Sequence, residues 1–176
     1  MNLTDSPTIF VNELANKYTA LFDVYRDQKI ENFSLPFIAI YRRRDERYMI
    51  SKKFKVYGVE NQQIVFTTLC EKLTTSFVED FQATMERNIS KYIPEVNEHM
   101  STTMLGIIIT NQDVDGKILK EVRRYRKVKF IKFGLHGWIE LYTVVINLKD
   151  NSLNVHPKGK SFVESIEKML NEEVKV

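Results

Sequence analysis

The sequence predicts an α+β fold in which helices pack on a largely antiparallel sheet. Two features lead to this prediction: apolar residues recur at helical spacing in some stretches, and short runs of β-branched and aromatic residues are bounded by turn residues in others. Glycine and proline are scarce, with 6 and 4 among 176 residues, which argues against long linkers. A chain of this length buries about 70% of the surface that its unfolded form exposes. One domain over residues 1–176 therefore needs no metal or disulfide for stability.

The first half of the chain has the pattern of a helix, three strands and a second helix. Leu14, Tyr18 and Tyr25 recur at helical spacing. The charged run over residues 42–47 indicates a hairpin turn, and Pro94 marks the end of the second helix. The predicted elements are a helix over residues 8–28, strands over 37–41, 48–59 and 63–67 with a turn at 61–62, and a helix over 69–92.

The second half has the same order of elements after one additional strand. Residues 105–110 are rich in β-branched side chains and predict that strand. Residues 138–148 are apolar on both faces, as in a central strand that is covered on both sides. The remaining predicted elements are a helix over 113–127, strands over 129–133 and 153–155, and a final helix over 161–171.

A repeated tetrapeptide is consistent with an internal duplication. Ser76-Phe77-Val78-Glu79 recurs as Ser161-Phe162-Val163-Glu164, and apolar positions upstream also correspond. A true duplication predicts related halves, residues 8–93 and 111–174, around a pseudo-twofold axis. The alternative is local, because Ser-x-x-Glu is the pattern of a capping box at the start of a helix.

Composition and charge favour an intracellular protein. The net charge of +3 is too small to indicate a polyanionic partner by itself. Cys70 is the single cysteine, so it cannot form an internal disulfide and fits a reducing compartment. The N-terminal residues lack the basic-then-apolar order of a signal peptide, and no apolar run is long enough to span a membrane. We therefore expect a cytoplasmic protein without membrane association.

Two short motifs resemble ligand-binding loops but lack a required residue. Gly159-Lys160-Ser161 lies between a strand and a helix, but Asn154 stands where a phosphate-binding loop needs glycine. Lys158 and Lys160 still could hold an anion near a helix start. Residues 111–116 have the first half of a calcium loop, but a valine occupies the position of the bidentate glutamate. We therefore expect no metal and no cofactor.

Glu140 is the carboxylate whose predicted environment most needs an explanation. It lies on the same strand face as Trp138 and Tyr142, where a carboxylate requires a partner. A lysine or arginine of a neighbouring strand is the structural explanation. The functional alternative is an enzyme site that combines Glu140 and His136 with distant residues. About 13 Å of extended chain separates these two, too far for a direct base–orienter pair.

Basic and aromatic residues cluster in two regions, as on sheet surfaces that bind single-stranded nucleic acid. The aromatic residues have core-like spacing, however, and acidic residues dilute the charge. Solvated sheet edges and hairpin tips are therefore the simpler explanation. The candidate residues for binding an anion or nucleic acid are Arg42, Arg43, Arg44, Arg123, Arg126, Lys129, Lys158 and Lys160.

The lack of a local catalytic constellation favours a non-enzymatic binding or adaptor protein that acts on another protein, as a homodimer. In outline, the order of helix, three-stranded meander and helix resembles small α+β chaperone or adaptor domains such as the type III secretion chaperone-like group, which implies a protein partner. The alternatives are nucleic-acid binding and an enzyme site near Glu140 and His136. We expect the apolar residues to form one shared interior.

Overall fold

The computed structural model describes residues 5–42, 60–93, 100–131 and 137–172. Within these ranges the chain forms one seven-stranded sheet with helices on both faces, which confirms the predicted α+β class. None of the described helices is both long and apolar enough to cross a membrane. The helices are α1 (Pro7–Tyr18), α2 (Thr75–Asn88), α3 (Gly116–Arg124) and α4 (Glu164–Glu172), with short 3-10 helices at Ile89–Tyr92 and Pro157–Phe162. The strands are β1 (Asp23–Ile30), β2 (Phe33–Arg42), β3 (Glu60–Leu69), β4 (Met100–Thr110), β5 (Arg126–Phe130), β6 (Gly137–Asn147) and β7 (Ser152–Asn154).

The sheet is mixed, with parallel strands at its centre. Its order is β1-β2-β3-β4-β6-β5, and β7 also pairs with β6. β4 is parallel to β3 on one side and to β6 on the other, and the other four pairings are antiparallel. The parallel pairs arise because α2 returns the chain between β3 and β4, and β5 runs back between β4 and β6. The prediction of a largely antiparallel sheet is confirmed.

Two hydrophobic clusters, one on each face of the sheet, form the core. On the α1/α4 face, Phe10 of α1 and Leu170 of α4 pack against the strands. On the α2/α3 face, Phe81 of α2 and Val122 of α3 do the same. β4 and β6 contribute to both clusters, because successive side chains of a strand point to opposite faces. The expected single interior therefore consists of two layers, one on each side of the sheet.

The first helix is shorter than predicted. α1 ends at Tyr18, and the second part of the predicted helix 8–28 forms β1 instead. Of the side chains expected on the buried stripe of that part, Leu21 is 75% and Tyr25 49% exposed, whereas Phe22 is half-buried against the α1/α4 cluster. Pairing with β2 satisfies the backbone along most of β1, so the ladder overrides the helical spacing of the side chains.

Other predicted boundaries shift by a few residues. The predicted turn at 61–62 lies inside β3, where Gln62 pairs with Arg42 and Thr102. The predicted helix 113–127 ends at Arg124 because the following residues pair with β6 as β5. Several sequence predictions fall outside the described residues: the strand over 48–59 with its hairpin, Arg43, Arg44 and His136.

The predicted capping boxes do not start the helices. Thr74 caps α2, and its hydroxyl accepts a hydrogen bond from Phe77 N at 3.1 Å, whereas Ser76 lies inside the helix. α4 begins at Glu164, after the 3-10 helix Pro157–Phe162. Neither copy of the repeated tetrapeptide therefore forms the predicted capping box at the start of a helix.

The stretch that resembles a calcium loop forms the start of α3. Asp115 caps this helix, since its Oδ1 accepts a hydrogen bond from Lys117 N at 2.9 Å. Asp113 Oδ2 lies 2.6 Å from Lys149 Nζ. Both carboxylates therefore have partners within the chain.

The internal duplication is not confirmed. In the first half, β1 and β3 flank β2 on opposite edges. In the second half, β5 and β7 share one edge of β6, because β4 occupies the whole length of the other. The two halves have the same order of elements along the chain, but their central strands are paired differently.

Candidate ligand-binding groove

The register of the sheet aligns side chains from four strands in one row. Tyr41 of β2 pairs with Gln63 of β3, Gln63 pairs with Thr103 of β4, and Thr103 pairs with Glu140 of β6. Directly paired residues of neighbouring strands point to the same face of a sheet. These four side chains therefore form a continuous polar row across the α1/α4 face.

Aromatic residues lie in the next row, at the end of the sheet. Trp138 of β6 pairs with Ser101 of β4 on one side and with Phe130 of β5 on the other. Trp138 is half-buried, and Phe130 is 69% exposed. An indole and a phenyl ring therefore stand beside the polar row.

Among the described residues, the helices of the α1/α4 face leave these two rows uncovered. On the other side of the polar row, Ala39, Val65, Leu105 and Tyr142 are buried in the cluster that contains α1 and α4. The uncovered part of the face is a groove with a volume of about 280 Å³. We call it the polar groove, and its lining includes Tyr41, Gln63, Ser101, Thr103, Trp138, Glu140 and Phe162.

Strand alternation places two of these side chains in the groove. Along the first part of β6, Trp138 and Glu140 are half-buried, whereas Ile139 and Leu141 are buried in the cluster on the α2/α3 face. Successive side chains of a strand point to opposite faces of the sheet, so β6 has one polar and one apolar face here. The helix-free end of the α1/α4 face then leaves the tryptophan and the carboxylate accessible.

Glu140 is bonded on both of its oxygens. Its Oε2 accepts a hydrogen bond from the Tyr142 hydroxyl at 2.5 Å, and its Oε1 lies 3.3 Å from Arg126 Nη2. Arg126 Nε also donates to the Tyr142 hydroxyl at 3.3 Å. Arg126 stands directly opposite Tyr142 in the β5–β6 pair, so the neighbouring strand supplies the cation that the carboxylate needs.

These contacts set the charge states of the cluster. The hydrogen bond from Tyr142, followed by that from Arg126, holds the pKa of Glu140 below its usual range, against the opposing effect of burial. Burial, together with the bond to Glu140, raises the pKa of Tyr142. At neutral pH the carboxylate is therefore ionised and the phenol is neutral.

Gln63 and Thr103 are two polar side chains of the groove whose hydrogen-bonding capacity is unused among the described residues. Both side chains are half-buried, and neither bonds to another residue in the part of the chain that the structure describes. A polar group that loses water without gaining a partner is costly. These two side chains can therefore bond a ligand that displaces water from the groove.

Comparison with known families shows which family the chain belongs to. The model of a domain of unknown function (DUF8052) matches residues 7–168. The chain belongs to the DUF8052 family. The match runs from the first residue of α1 into α4, so it contains the whole polar groove. No curated protein and no solved structure matches the chain, and the outline resemblance to the type III secretion chaperone-like group stays a prediction.

Three of the basic residues that the sequence singles out lie on the Glu140 side of the sheet in this DUF8052 chain. Arg126 bonds the carboxylate directly, and the charge of Lys158 is near enough to help lower the pKa of Glu140. Lys160 lies in the same 3-10 helix as Lys158. Arg123, at the end of α3, lies on the opposite face: it donates a hydrogen bond of 2.6 Å to Asn154, whose strand partner Val145 is buried in the α2/α3 cluster.

The other predicted basic residues lie elsewhere. Lys129 is paired with Ile139, which is buried on the α2/α3 face, so it points away from the groove. Arg42 ends β2, and three strands separate it from β5. The predicted anion-binding residues therefore do not form one site. Arg43 and Arg44 lie outside the described residues, as does His136 of the predicted enzyme site.

Gly159 fixes the 3-10 helix Pro157–Phe162 against β6. A Cβ atom at this position would lie 3.0 Å from the ring of Tyr142 and 3.1 Å from Val155 Cγ2. Glycine permits this close approach because it has no side chain. Lys158 and Lys160 flank this contact, so they are held beside the Glu140 cluster.

Sequence reasoning identified Glu140 but missed Gln63 and Thr103. The local signal is a polar start to strands whose remaining residues are apolar, as in Ser101 and Thr103 before the apolar part of β4. That signal does not show which residues are neighbours. The row exists because β3, β4 and β6 are parallel and in register, and these strands are distant in sequence.

Proposed function

We propose that this protein is a non-enzymatic binding protein that holds an extended segment of a partner protein in the polar groove. The observation that carries the proposal is the pair Gln63 and Thr103, half-buried groups that bond no other described residue and lie on a sheet face that the described helices leave uncovered. A peptide backbone offers N–H and C=O groups at regular intervals, which suit an amide and a hydroxyl that both donate and accept. Tyr41 and Trp138 add aromatic surface for side-chain contacts.

The dimensions of the groove suit a short extended peptide. Tyr41 on β2 and Glu140 on β6 are three strand spacings apart, which is about 14 Å at about 4.8 Å per spacing. About four extended residues cover this distance, at about 3.4 Å each. Four residues of α-helix would be only about 6 Å long, so a single extended chain is the occupant that matches the length of this row.

Glu140 is suited to orient a ligand rather than to transfer protons. Its carboxylate already accepts hydrogen bonds from Tyr142 and Arg126, and these contacts hold its pKa below the usual range. A general acid or base works best when its pKa is near the operating pH. The lowered pKa of Glu140 therefore favours binding over the alternative of an enzyme site around this residue.

The groove contains its own reporter for a binding experiment. Trp138 is the only tryptophan of the chain, so its fluorescence reports on the groove alone. We expect pools of tryptophan-free octapeptides to contain sequences that change this emission in a saturable way. Gln63→Ala and Thr103→Val should each weaken that binding by about threefold to tenfold, the effect of one lost hydrogen bond.

A matched control separates the groove from the rest of the surface. Gln28→Ala removes an exposed glutamine from β1, which lies at the far edge of the sheet, and should leave binding unchanged. The proposal fails if no pool affects Trp138, or if the Gln63 and Thr103 variants bind as tightly as the unchanged protein.

A further inference from the structure

We infer that the partner segment carries acidic residues next to the part that occupies the polar groove, and that these acidic residues bind Arg126, Lys158 and Lys160. We call these three residues the cationic edge. The inference rests on the proposed function, because it needs a protein segment in the groove, and it adds the chemical class of that segment.

The cationic edge continues the groove at its β6 end. Arg126 points to the same face as Glu140, and its Nη2 lies 3.3 Å from Glu140 Oε1. The 3-10 helix Pro157–Phe162 carries both lysines and ends at Phe162, which itself lines the groove. A chain that leaves the groove past Glu140 therefore meets these cations next.

The positive charge of this edge is in excess. Lys158 and Lys160 are exposed, and neither forms an ion pair with a residue in the described ranges. Glu140 offsets the charge of Arg126, which leaves the two lysines of the edge without a bonded carboxylate among the described residues.

The distribution of charge along the groove favours an acidic peptide over a nucleic acid. A nucleic acid strand carries a phosphate at every nucleotide, so it would bring negative charge along the whole groove. The floor of the groove holds the neutral side chains Gln63 and Thr103 and the ionised carboxylate of Glu140, and the cations lie beyond one end. A segment with uncharged residues in the groove and acidic residues beside it complements both parts.

Two matched peptide pools test the charge requirement. Each octapeptide has four randomised uncharged residues joined to four fixed residues, which are Asp and Glu in one pool and Asn and Gln in the other. Both orders of the two parts are made, and a pool of random oligonucleotides serves as the nucleic-acid probe. Binding is measured through Trp138 at low and at moderate salt, because attraction between exposed charges weakens as salt is added.

Charge reversal on the protein identifies where the acidic residues bind. We expect Lys158→Glu with Lys160→Glu to weaken the binding of the acidic pool by about tenfold at low salt and to leave the amide pool unaffected. The control is Lys29→Glu with Lys72→Glu, which changes the net charge equally at two other exposed positions. That control should retain most of the affinity for the acidic pool.

Equal, Trp138-dependent binding of both peptide pools would overturn the acidic preference and leave the proposed function standing. Tighter, lysine-dependent binding of the oligonucleotides would overturn the acidic peptide in favour of nucleic acid. If neither peptide pool bound, the proposed function would fail together with this inference.

Discussion

The Tyr142 hydroxyl joins Glu140 to Arg126, and its removal tests that cluster quantitatively. Tyr142→Phe deletes the 2.5 Å bond to the carboxylate and the 3.3 Å bond from the guanidinium. The ring is 1% exposed and should stay packed in its hydrophobic cluster. A hydrogen bond to a charged group contributes about 1.5–3 kcal/mol, and solvent near the 25% exposed Glu140 side chain reduces this value. We expect the free energy of unfolding to fall by about 1–2 kcal/mol.

A double-mutant cycle isolates the bond between the two residues. Tyr142→Phe, Glu140→Gln and the double variant are unfolded in urea, with the fluorescence of Trp138 as the signal. The expected coupling free energy is about 1 kcal/mol. Tyr25→Phe, at an exposed tyrosine of β1, is the control and should change stability little. A coupling within about 0.3 kcal/mol of zero would refute the description of this cluster.

The same coupling has a defined dependence on pH. The bond from Tyr142 lowers the pKa of Glu140 in the folded protein. A carboxyl group with a lowered folded pKa stabilises the protein above its unfolded pKa of about 4.3, and this contribution is lost as the pH falls through the folded value. The coupling measured at neutral pH should therefore disappear in acid. A coupling that grew on acidification would contradict the assignment of the carboxylate as the charged partner.

Three further measurements test other parts of the fold. Gly159→Ala should lower the free energy of unfolding by about 1–3 kcal/mol in urea, because the added Cβ meets the Tyr142 ring at 3.0 Å; an unchanged midpoint would contradict this close approach. Glu31→Gln should lower the Tm at neutral pH, because Arg87, followed by Asn88, holds the pKa of Glu31 at about 2 against an ordinary value of 4.5. Its contribution is lost as the pH falls from about 4.5 towards 2, so a Tm difference that persisted below that range would be contrary evidence. Sedimentation at two concentrations should reveal the predicted homodimer, and a species with the mass of one chain at both would exclude it.

The fold class and most elements could be predicted from periodicity, but β1 could not. Tyr18 and Tyr25 are spaced as on one face of a helix, so the local pattern favours a helix there. Only pairing with β2 makes residues 23–30 a strand. The alternation within β6 was readable, and it correctly indicated that Glu140 needs a cation from a neighbouring strand. Its identity as Arg126 depends on the register of β5, which a sequence window does not contain.

The groove could be predicted only in fragments. Glu140 stood out because a carboxylate beside aromatic residues is unusual, whereas Gln63 and Thr103 are ordinary residues of strand ends. Their importance comes from parallel pairing across three separate segments and from the place where α1 and α4 stop covering the sheet. Both are long-range properties, which local propensity does not encode.

The position of β4 has a consequence for how the chain reaches its native state. β1, β2 and β3 form one antiparallel group, β5, β6 and β7 form another, and β4 joins the two through parallel ladders on both of its edges. The partners in those ladders are about 40 residues apart in the chain, so closing them requires large entropy losses before any contact is gained. The two groups should therefore form early and dock slowly. Until β4 inserts, the open edges of β3 and β6 can pair with other molecules, so refolding yield should decrease as protein concentration rises.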